Sequence, residues 1–265
     1  MATRAEREKH ASDETPVYEN WHHLQRRFTH IFDCPNSRRS DGVQKMLLQT
    51  RIAGASVLEI GCGGGAFAER ISHMGAAYVL ATDISEVWIG EAKAREIAGV
   101  LEYEVADASQ PFTGQFDLIV GHAVLHHIDY QEVIARLIHD NLKPGGMMFF
   151  YEPLASNWIM RIFRHFSKHA HTPDERPFDR QALAWILMRY PAFYLIPFNF
   201  VSIPFGAISS FLFRSPDNAL MRIADRIDRY LANHARFLRA YFRTAILVFP
   251  SSSEKKNTVK NLISS

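Results

Sequence analysis

The stretch Val57–Ile71, VLEIGCGGGAFAERI, constrains the fold of this chain more than any other segment. A short β-type run is followed by an acid, by glycines at alternate positions (Gly61, Gly63 and Gly65) and then by a helix start. Glycines at such a turn let the backbone pass close under a ligand with no Cβ in the way. The segment therefore predicts a strand–loop–helix unit of an open sheet, with a ligand beside the helix N-terminus.

Two acids narrow the class of ligand. Asp83 stands eighteen residues after Gly65, at the end of a second apolar run, and an acid there can bind both hydroxyls of a ribose. Glu59 precedes the glycines, where a carboxylate repels a pyrophosphate but suits a cationic ligand that carries an amino acid. A dinucleotide fingerprint has its glycines as G-x-G-x-x-G and lacks this acid. We therefore expect an adenosine-containing ligand other than NAD.

The composition indicates a packed globular chain with an uneven charge. The 265 residues are 47% hydrophobic and 22% charged, which excludes wholesale disorder. Residues 1–150 hold 14 Lys/Arg and 20 Asp/Glu, whereas residues 151–250 hold 13 Lys/Arg and 7 Asp/Glu. The basic half is also the more aromatic one, so we expect the two halves to bind different partners. Cys34 and Cys62 are expected to be reduced thiols in a cytoplasmic protein, and the charged start does not resemble a secretory signal.

Apolar runs and helical stretches alternate from residue 56 to residue 151, which predicts a doubly wound parallel sheet with right-handed crossovers. The predicted strands are Ser56–Ile60, Tyr78–Thr82, Leu101–Val105, Phe116–Gly121 and Met147–Tyr151. The predicted helices between them are Ala66–Met74, Ser85–Ala98, a short helix after Asp107, and Tyr130–Asn141.

The flanking segments have weaker patterns. Residues 1–15 are polar and are expected to fray, and helices are predicted over Val17–Phe32 and Ser40–Ile52. Beyond residue 152, strands are predicted over about Phe193–Val201 and Thr244–Phe249. A long helix between them is predicted to start at Ser215 as N-cap, because a proline and an acid follow it.

Five segments in order resemble the motifs of class I S-adenosylmethionine (SAM)-dependent methyltransferases of the small-molecule type. That type includes the ubiquinone/menaquinone-biosynthesis enzymes and related natural-product methyltransferases. The segments are Glu59–Gly65, Asp83–Ile84, Ala106–Ala108, Phe116–Ile128 and Leu142–Pro153. The resemblance implies an α/β Rossmann-like sheet, mostly parallel with an antiparallel last strand. It also implies a helical N-terminal lid and a helical insertion of about 30–40 residues before that strand.

The resemblance also implies a division of the chain and a set of cofactor residues. We expect a lid over residues 1–52, a SAM-binding core over 53–151, an acceptor-side region over 152–250 and a flexible tail over 251–265. Asp83 would bind the ribose, Ile84 would pack on the adenine and Asp107 would lie near its amine. The full predicted SAM site comprises Tyr18, Glu59, Gly61, Cys62, Gly63, Gly65, Asp83, Ile84, Asp107, Ala108 and His122.

Three side chains are candidates for the general base. His126 and His127 follow the fourth strand, and Glu152 ends the fifth, at the carboxyl edge where ligands bind in such sheets. Each also has a purely structural interpretation, as a packed histidine or as a cap of the next turn. No metal site is expected, because SAM transfer needs none and the histidines at 165, 169 and 171 have no cysteine nearby.

The expected reaction is transfer of the SAM methyl group to an oxygen, nitrogen or carbon of a hydrophobic small molecule. That acceptor can carry a carboxylate or phosphate that the arginines of the basic half would pair with. The fourth-strand motif lacks the Asn-Pro-Pro pattern of amino-directed nucleic-acid methylases, so no nucleic-acid partner is expected. The charge-free run over residues 190–213 favours a buried strand and an apolar helix, with peripheral membrane contact as an open alternative.

Two further functions stay open at this point. A SAM-binding enzyme of the same fold could catalyse a cyclisation or rearrangement without methyl transfer. A SAM-binding or membrane-associated protein with no enzymatic activity would show the same glycine and acid pattern. The oligomeric state has no signature in the sequence.

Overall fold

A computed structural model of the chain describes residues 2–14, 17–167, 170–172 and 174–250, with the side chains of residues 14, 17 and 18 outside the description. The tail predicted over 251–265 and His169 therefore lie outside the described residues. The described strands form a seven-stranded sheet in the order β3-β2-β1-β4-β5-β7-β6. Their bounds are β1 Ser56–Ile60, β2 Tyr78–Asp83, β3 Leu101–Val105, β4 Phe116–His122, β5 Leu142–Pro153, β6 Tyr194–Phe198 and β7 Thr244–Pro250.

The sheet confirms the expected fold class. Neighbouring strands from β3 to β5 pair in parallel, whereas β7 runs antiparallel to both β5 and β6. Two helices, α10 over Ser202–Leu212 and α11 over Ala219–His234, lie between β6 and β7 along the chain, as the predicted insertion requires. The strand order reverses between β1 and β4, and open α/β sheets bind ligands beyond the carboxyl ends of the strands at such a point.

Helices cover both faces of the sheet because its strands are apolar on both faces. In one core, strand residues such as Val57 pack against the helices that cover residues 35–49 (α4) and 66–73 (α5). In the other core, Leu58 and its neighbours pack against the helices that cover residues 130–136 (α7) and 180–189 (α9). The helices are α1 Arg4–Glu14, α2 Val17–Arg27, α3 Thr29–Phe32, α4 Pro35–Gln49, α5 Ala66–His73, α6 Glu86–Ala92, α7 Tyr130–Arg136, α8 Trp158–Phe166, α9 Arg180–Arg189, α10 Ser202–Leu212 and α11 Ala219–His234. Short 3₁₀ or π turns follow at Lys93–Arg95, Leu125–His127, Leu137–Asn141 and Arg236–Tyr241.

The N-terminal segment is a correction to the sequence-based expectation. Residues 4–14 form a helix, α1, instead of fraying. Arg7 pairs with Asp174 at 2.6 Å and Lys9 pairs with Glu86, so the polar residues of α1 hold it against two distant parts of the chain. The helix is attached by charge pairs rather than by an apolar face. Its sequence therefore has few apolar residues, and hydrophobic periodicity does not predict that it docks.

Other corrections concern helix ends. The N-cap of the insertion helix α11 is Asn218, whose side chain accepts from the Met221 N–H. Ser215, the predicted N-cap, instead accepts from the Asp217 N–H in a tight turn. The short helix expected after Asp107 is a turn, in which Asp107 accepts from the Ser109 N–H at 2.8 Å. The predicted Ser85–Ala98 helix stops at Ala92, and Val17–Phe32 is broken at residue 28 into α2 and α3.

The apolar run over residues 190–213 forms β6 and α10, as the sequence favoured. Within the described ranges, none of the helices combines the length and the apolar character that a bilayer crossing requires.

Candidate active site

A pocket of about 290 Å³, here called the cofactor pocket, lies beyond the carboxyl ends of β1, β2 and β4. The glycine loop, α1 and the turn after β4 surround it. Its lining includes seven of the predicted cofactor residues: Gly61, Gly63, Asp83, Ile84, Asp107, Ala108 and His122. The sequence patterns at four separate strand ends therefore converge on one site.

The glycine loop is shaped by close packing from two sides. Gly65 has φ +80°, and a Cβ there would lie 2.5 Å from the hydroxyl oxygen of Tyr103, which donates to the Gly65 carbonyl. Gly61 has φ +72°, and its Cβ would lie 2.9 Å from a Val124 methyl carbon. Only glycine fits this backbone conformation in this space. Gly65 thus serves the loop as the helix-capping residue of α5 rather than as part of the pocket lining.

Asp83 ties the glycine loop to the end of β2. Its carboxylate accepts from the Gly63 N–H at 2.8 Å and from the Ser85 N–H at 3.0 Å. Burial raises the pKa of Asp83, and these backbone donors act against that effect. Asp83 also lines the cofactor pocket, at the end of β2, which is the position a ribose-binding acid requires.

Glu59 lies behind the loop, 1% exposed. Burial and the nearby Asp83 charge raise the pKa of Glu59 to about 8. Its Oε2 atom is buried without a hydrogen-bond partner among the described residues. Glu59 is not among the residues that line the cofactor pocket, so its contact with a cationic ligand group stays a prediction, which the orphaned oxygen of this buried acid supports.

The acidic set of the cofactor pocket fits SAM. Asp83, Asp107 and Glu8 line it. Carboxylates suit a ligand that presents hydroxyls, an ammonium and a sulfonium, as SAM does, better than they suit a ligand that presents a phosphate. Arg4 also lines the pocket, but its guanidinium already donates to the carbonyls of His126 (3.1 Å) and Asp174 (2.8 Å). Cys62 is buried beside the lining, and the side chain of Tyr18 lies outside the described residues, so its role stays a prediction.

A second pocket, of about 410 Å³, adjoins the cofactor pocket. The two share His122, Ala123 and His127 in their walls. Ala123 has φ +52°, a conformation that non-glycine residues rarely adopt and that is found most often at functional sites. The second pocket is lined on one side by apolar residues: Trp21, Phe32, Leu154, Met160 and Ala170.

His127 is the histidine placed at the junction of the two pockets. Its Nδ1 lies 2.9 Å from a carboxylate oxygen of Glu8 and 3.4 Å from the Thr172 hydroxyl. Glu8 belongs to α1 and is itself 8% exposed. A carboxylate on one ring nitrogen orients the imidazole and leaves the other nitrogen for a proton-transfer partner. Of the three candidate bases, His127 is the one that lines both pockets.

His126 and Glu152 form a buried pair behind His127. Glu152 Oε2 lies 2.7 Å from His126 Nδ1, and Glu152 Oε1 accepts from the backbone N–H groups of Val124 and Leu125. Burial raises the pKa of Glu152 to about 7, and burial lowers the pKa of His126 well below its ordinary value. Glu152 therefore caps the turn after β4 rather than the next turn along the chain, which corrects the structural interpretation, while His126 lines the second pocket.

His122 also lines both pockets and is partly exposed. It hydrogen-bonds Gln44 of α4 and packs edge-on against Phe67, with ring centroids 4.2 Å apart. Burial, with a contribution from Arg70, lowers the pKa of His122 to about 4. The neutral His122 imidazole is thus held by Gln44 and by Phe67, and it forms part of the wall of both pockets.

One group of side chains has metal-ligating chemistry. Ligand atoms of His126, His127 and Glu175 lie within 4.8 Å of one another. Burial would raise the pKa of Glu175, but His171, His126 and Arg164 lower it to about 2. Arg164 and His171 lie 3.2 and 3.3 Å from the Glu175 carboxylate, so this acid already has its positive partners. The prediction that the site has no metal stays a prediction.

Four polar side chains that line the two pockets were absent from the sequence-based site: Glu8, Thr172, Glu175 and Arg243. Glu8 and His127 are 119 residues apart along the chain, and no local pattern links them. The one sequence signal that pointed to any of these residues was the cluster of histidines and acids near residue 175, and such clusters are too common to indicate a site.

Comparison with known proteins agrees with this geometry. Residues 19–191 match a family model described as a methyltransferase domain. The ubiquinone biosynthesis O-methyltransferase of Azotobacter vinelandii is 31% identical over 105 residues, 38% of this chain and 45% of that protein. The enzyme of the same name from Pseudomonas aeruginosa is 34% identical over 103 residues, 37% of this chain and 44% of that protein. The chain thus spans less than half the length of these curated relatives.

Solved structures show the same fold at low sequence identity. Magnesium protoporphyrin IX methyltransferase from Synechocystis PCC 6803, with bound S-adenosylhomocysteine, is 13% identical with a TM-score of 0.58, covering 94% of this chain and 100% of that one. The N-methyltransferase NodS from Bradyrhizobium japonicum, also with S-adenosylhomocysteine, is 17% identical with a TM-score of 0.51, covering 89% and 99%. At these identities the similarity supports the fold alone.

Proposed function

Because this chain belongs to the class I SAM-dependent methyltransferases of the small-molecule type, we propose that it methylates a hydrophobic small molecule held in the second pocket. The observation that carries the proposal is the shared wall of the two pockets, formed by His122, Ala123 and His127. A methyl donor in one pocket and an acceptor in the other would meet at these residues. Nucleic acid is not the proposed partner.

The residues at the junction account for the steps that the protein must perform. SAM supplies an activated methyl group, so most of the rate acceleration can come from holding the acceptor in line with it. His122 and Ala123 form the wall that fixes this approach. Where the acceptor is a hydroxyl, His127 accepts its proton through the ring nitrogen opposite Glu8. Glu8 orients the imidazole, and the Glu152–His126 pair holds the turn that carries it.

The lining of the second pocket supports a hydrophobic acceptor. Trp21 and Phe32 come from the N-terminal helical region, while Leu154 and Met160 come from the segment after β5. Trp21 and Phe32 pack edge-to-face with centroids 5.3 Å apart, which makes a stiff apolar wall. Such a wall suits aromatic, isoprenoid or lipid-like groups better than sugars.

Transfer of a tritiated methyl group from SAM to a panel of acceptors tests the proposal. The panel comprises phenolic, isoprenoid and fatty-acyl small molecules, with tRNA, DNA and protein as the contrasting classes. We expect labelling in the apolar small-molecule class. Labelling of the macromolecules alone would contradict the proposed acceptor. Tight binding of S-adenosylhomocysteine with no labelling of any class would instead support the rearrangement or non-enzymatic alternatives.

We also propose that the protein contacts an anionic bilayer through α8. Trp158, Ile162 and Phe166 lie one helical turn apart on this helix and are 65%, 52% and 79% exposed. Arg161 and His165 are exposed beside them, a combination that suits anionic lipid headgroups. The other side of α8 places Met160 and Arg164 in the second pocket, so the bilayer would lie beside the acceptor.

Vesicle flotation tests the membrane contact. Wild-type protein is expected to float with vesicles of phosphatidylglycerol and phosphatidylcholine, and substitution of Ile162→Gln with Phe166→Gln should lower the bound fraction about 10-fold or more, since both side chains bury apolar area in lipid. Val87→Gln is the matched control, because Val87 is 51% exposed on α6 and away from α8. Equal flotation of all three proteins, or none by the wild type, would contradict a docking role for α8.

A further inference from the structure

We propose that Arg243 is an oxyanion subsite of the second pocket and binds a carboxylate or phosphate on the hydrophobic acceptor. This inference rests on the proposed function and adds to it the charge of the acceptor and the residue that recognises it. Arg243 precedes β7, at the point where the α10–α11 insertion returns to the sheet. It lines the second pocket and is 7% exposed.

The charge pairing of the second pocket singles out this arginine. Three guanidinium groups line the pocket: Arg38, Arg164 and Arg243. Arg38 is bonded by both carboxylate oxygens of Asp33 at 2.8 and 2.9 Å, and Arg164 lies 3.2 Å from Glu175. Among the described residues, Arg243 has no carboxylate within ion-pair distance. Asp41 also lines the pocket, but it is exposed at the rim.

The neutral contacts of Arg243 hold it in place and leave one edge open. Its guanidinium stacks over Phe32, 4.9 Å from the ring centroid. The Asn199 amide, oriented with its oxygen toward the arginine, accepts from Nη2 at 2.7 Å and from Nε at 3.1 Å, and Ser37 Oγ lies 3.4 Å from Nη2. Across the described part of the chain, Nη1 finds no hydrogen-bond acceptor. The guanidinium is thus held in place through Nη2 and Nε, and its Nη1 edge is open to a ligand.

A buried cation without an anion is costly, which points to a ligand that supplies the missing charge. Burying an ionised group is strongly unfavourable unless it is paired, and functional sites retain such groups for binding. Arginine is the side chain best suited to carboxylate and phosphate oxygens. Because the same residue packs on Phe32, the subsite joins an anion-binding edge to an apolar wall. This arrangement fits an amphiphile whose charged group and apolar body lie side by side.

A binding experiment without catalysis tests the subsite. The probe is 11-(dansylamino)undecanoic acid, followed by fluorescence on protein saturated with S-adenosylhomocysteine. Its methyl ester and the corresponding alkyl phosphate complete the set. We expect wild-type protein to bind the acid or the phosphate about 10-fold or more tightly than the ester, since bonds to a charged group are lost with the ester. Whichever anionic probe binds more tightly identifies the oxyanion of the acceptor as a carboxylate or as a phosphate.

Two variants assign the preference to Arg243. Arg243→Met should bring acid and ester affinities within about threefold of each other, whereas Arg38→Met, the control in the same pocket, should keep the wild-type ratio. Arg243→Lys retains the charge and covers the case in which Arg243→Met fails to fold; it should retain part of the preference. Equal affinity of wild type for all three probes, no probe binding at all, or loss of the preference in Arg38→Met alone would overturn the subsite.

The two proposals can fail separately. Preference for the anionic probe would stand as a binding result even if no acceptor were ever labelled from SAM. Labelling of neutral hydrophobic acceptors without any anionic preference would retain the proposed function and remove the subsite.

Discussion

Replacing His127 by glutamine is expected to lower methyl transfer to a hydroxyl acceptor by about 10²–10⁴-fold, the usual contribution of a general base. His127 lies at the junction of the two pockets with Glu8 on its Nδ1, and glutamine retains much of the volume but cannot accept the proton. S-adenosylhomocysteine affinity should stay within about threefold. Single-turnover rates with the best acceptor of the panel, beside calorimetry of cofactor binding, provide the measurement.

Two companion variants sharpen this result. His139→Gln is the control, because the His139 side chain is 87% exposed and far from both pockets, and it should leave turnover unchanged. Glu8→Gln should produce an intermediate loss, since the imidazole would keep a hydrogen-bond partner but not a charged one. Turnover within threefold of wild type for His127→Gln, at every pH tested, would mean that alignment alone carries the reaction.

The ligand-free protein is expected to lose stability as the pH rises toward 8, and Glu59→Gln should remove much of that loss. Burial and Asp83 raise the pKa of Glu59 to about 8, so the folded state holds a proton that the unfolded chain releases near its ordinary value. The folded state binds more protons across this interval, so the free energy of unfolding falls with rising pH. The shift corresponds to about 3–5 kcal/mol between pH 5 and pH 8.

Urea unfolding of wild type and variant across this pH range measures the effect as a difference between the two proteins. Other buried groups contribute their own pH dependence, which the difference removes. Glu69→Gln is the control, because Glu69 is a half-exposed acid on the neighbouring α5 helix. The same difference between variant and wild type at pH 5 and pH 8 would contradict the raised pKa of Glu59. Saturating S-adenosylhomocysteine, whose ammonium favours an ionised Glu59, should reduce the difference at pH 8.

The sequence predicted the central sheet closely because local patterns encode it. Strands β1 and β3 have the predicted bounds: β1 is mostly apolar, and in β3 apolar residues alternate with Glu102 and Glu104. The glycine loop, Asp83 and Asp107 converge as expected because parallel strands present their carboxyl ends at one edge. The predicted N-cap of α11, Ser215, was wrong: the cap is Asn218, which also donates to Ser209 of α10, a tertiary contact that no local pattern encodes.

The amino-acid sequence by itself determined the fold class and the family, and it predicted that the glycine loop, Asp83 and Asp107 meet at one edge of the sheet, because these features depend on periodicity and on residues close together along the chain. The tertiary structure decided which acid lies beside each candidate histidine and which arginine of the second pocket lacks one. Glu8 meets His127, and Arg243 stacks on Phe32, only because α1 and the N-terminal helical region pack across the sheet edge. Such pairings between distant segments arise from packing and charge, and no local pattern in either segment encodes its partner.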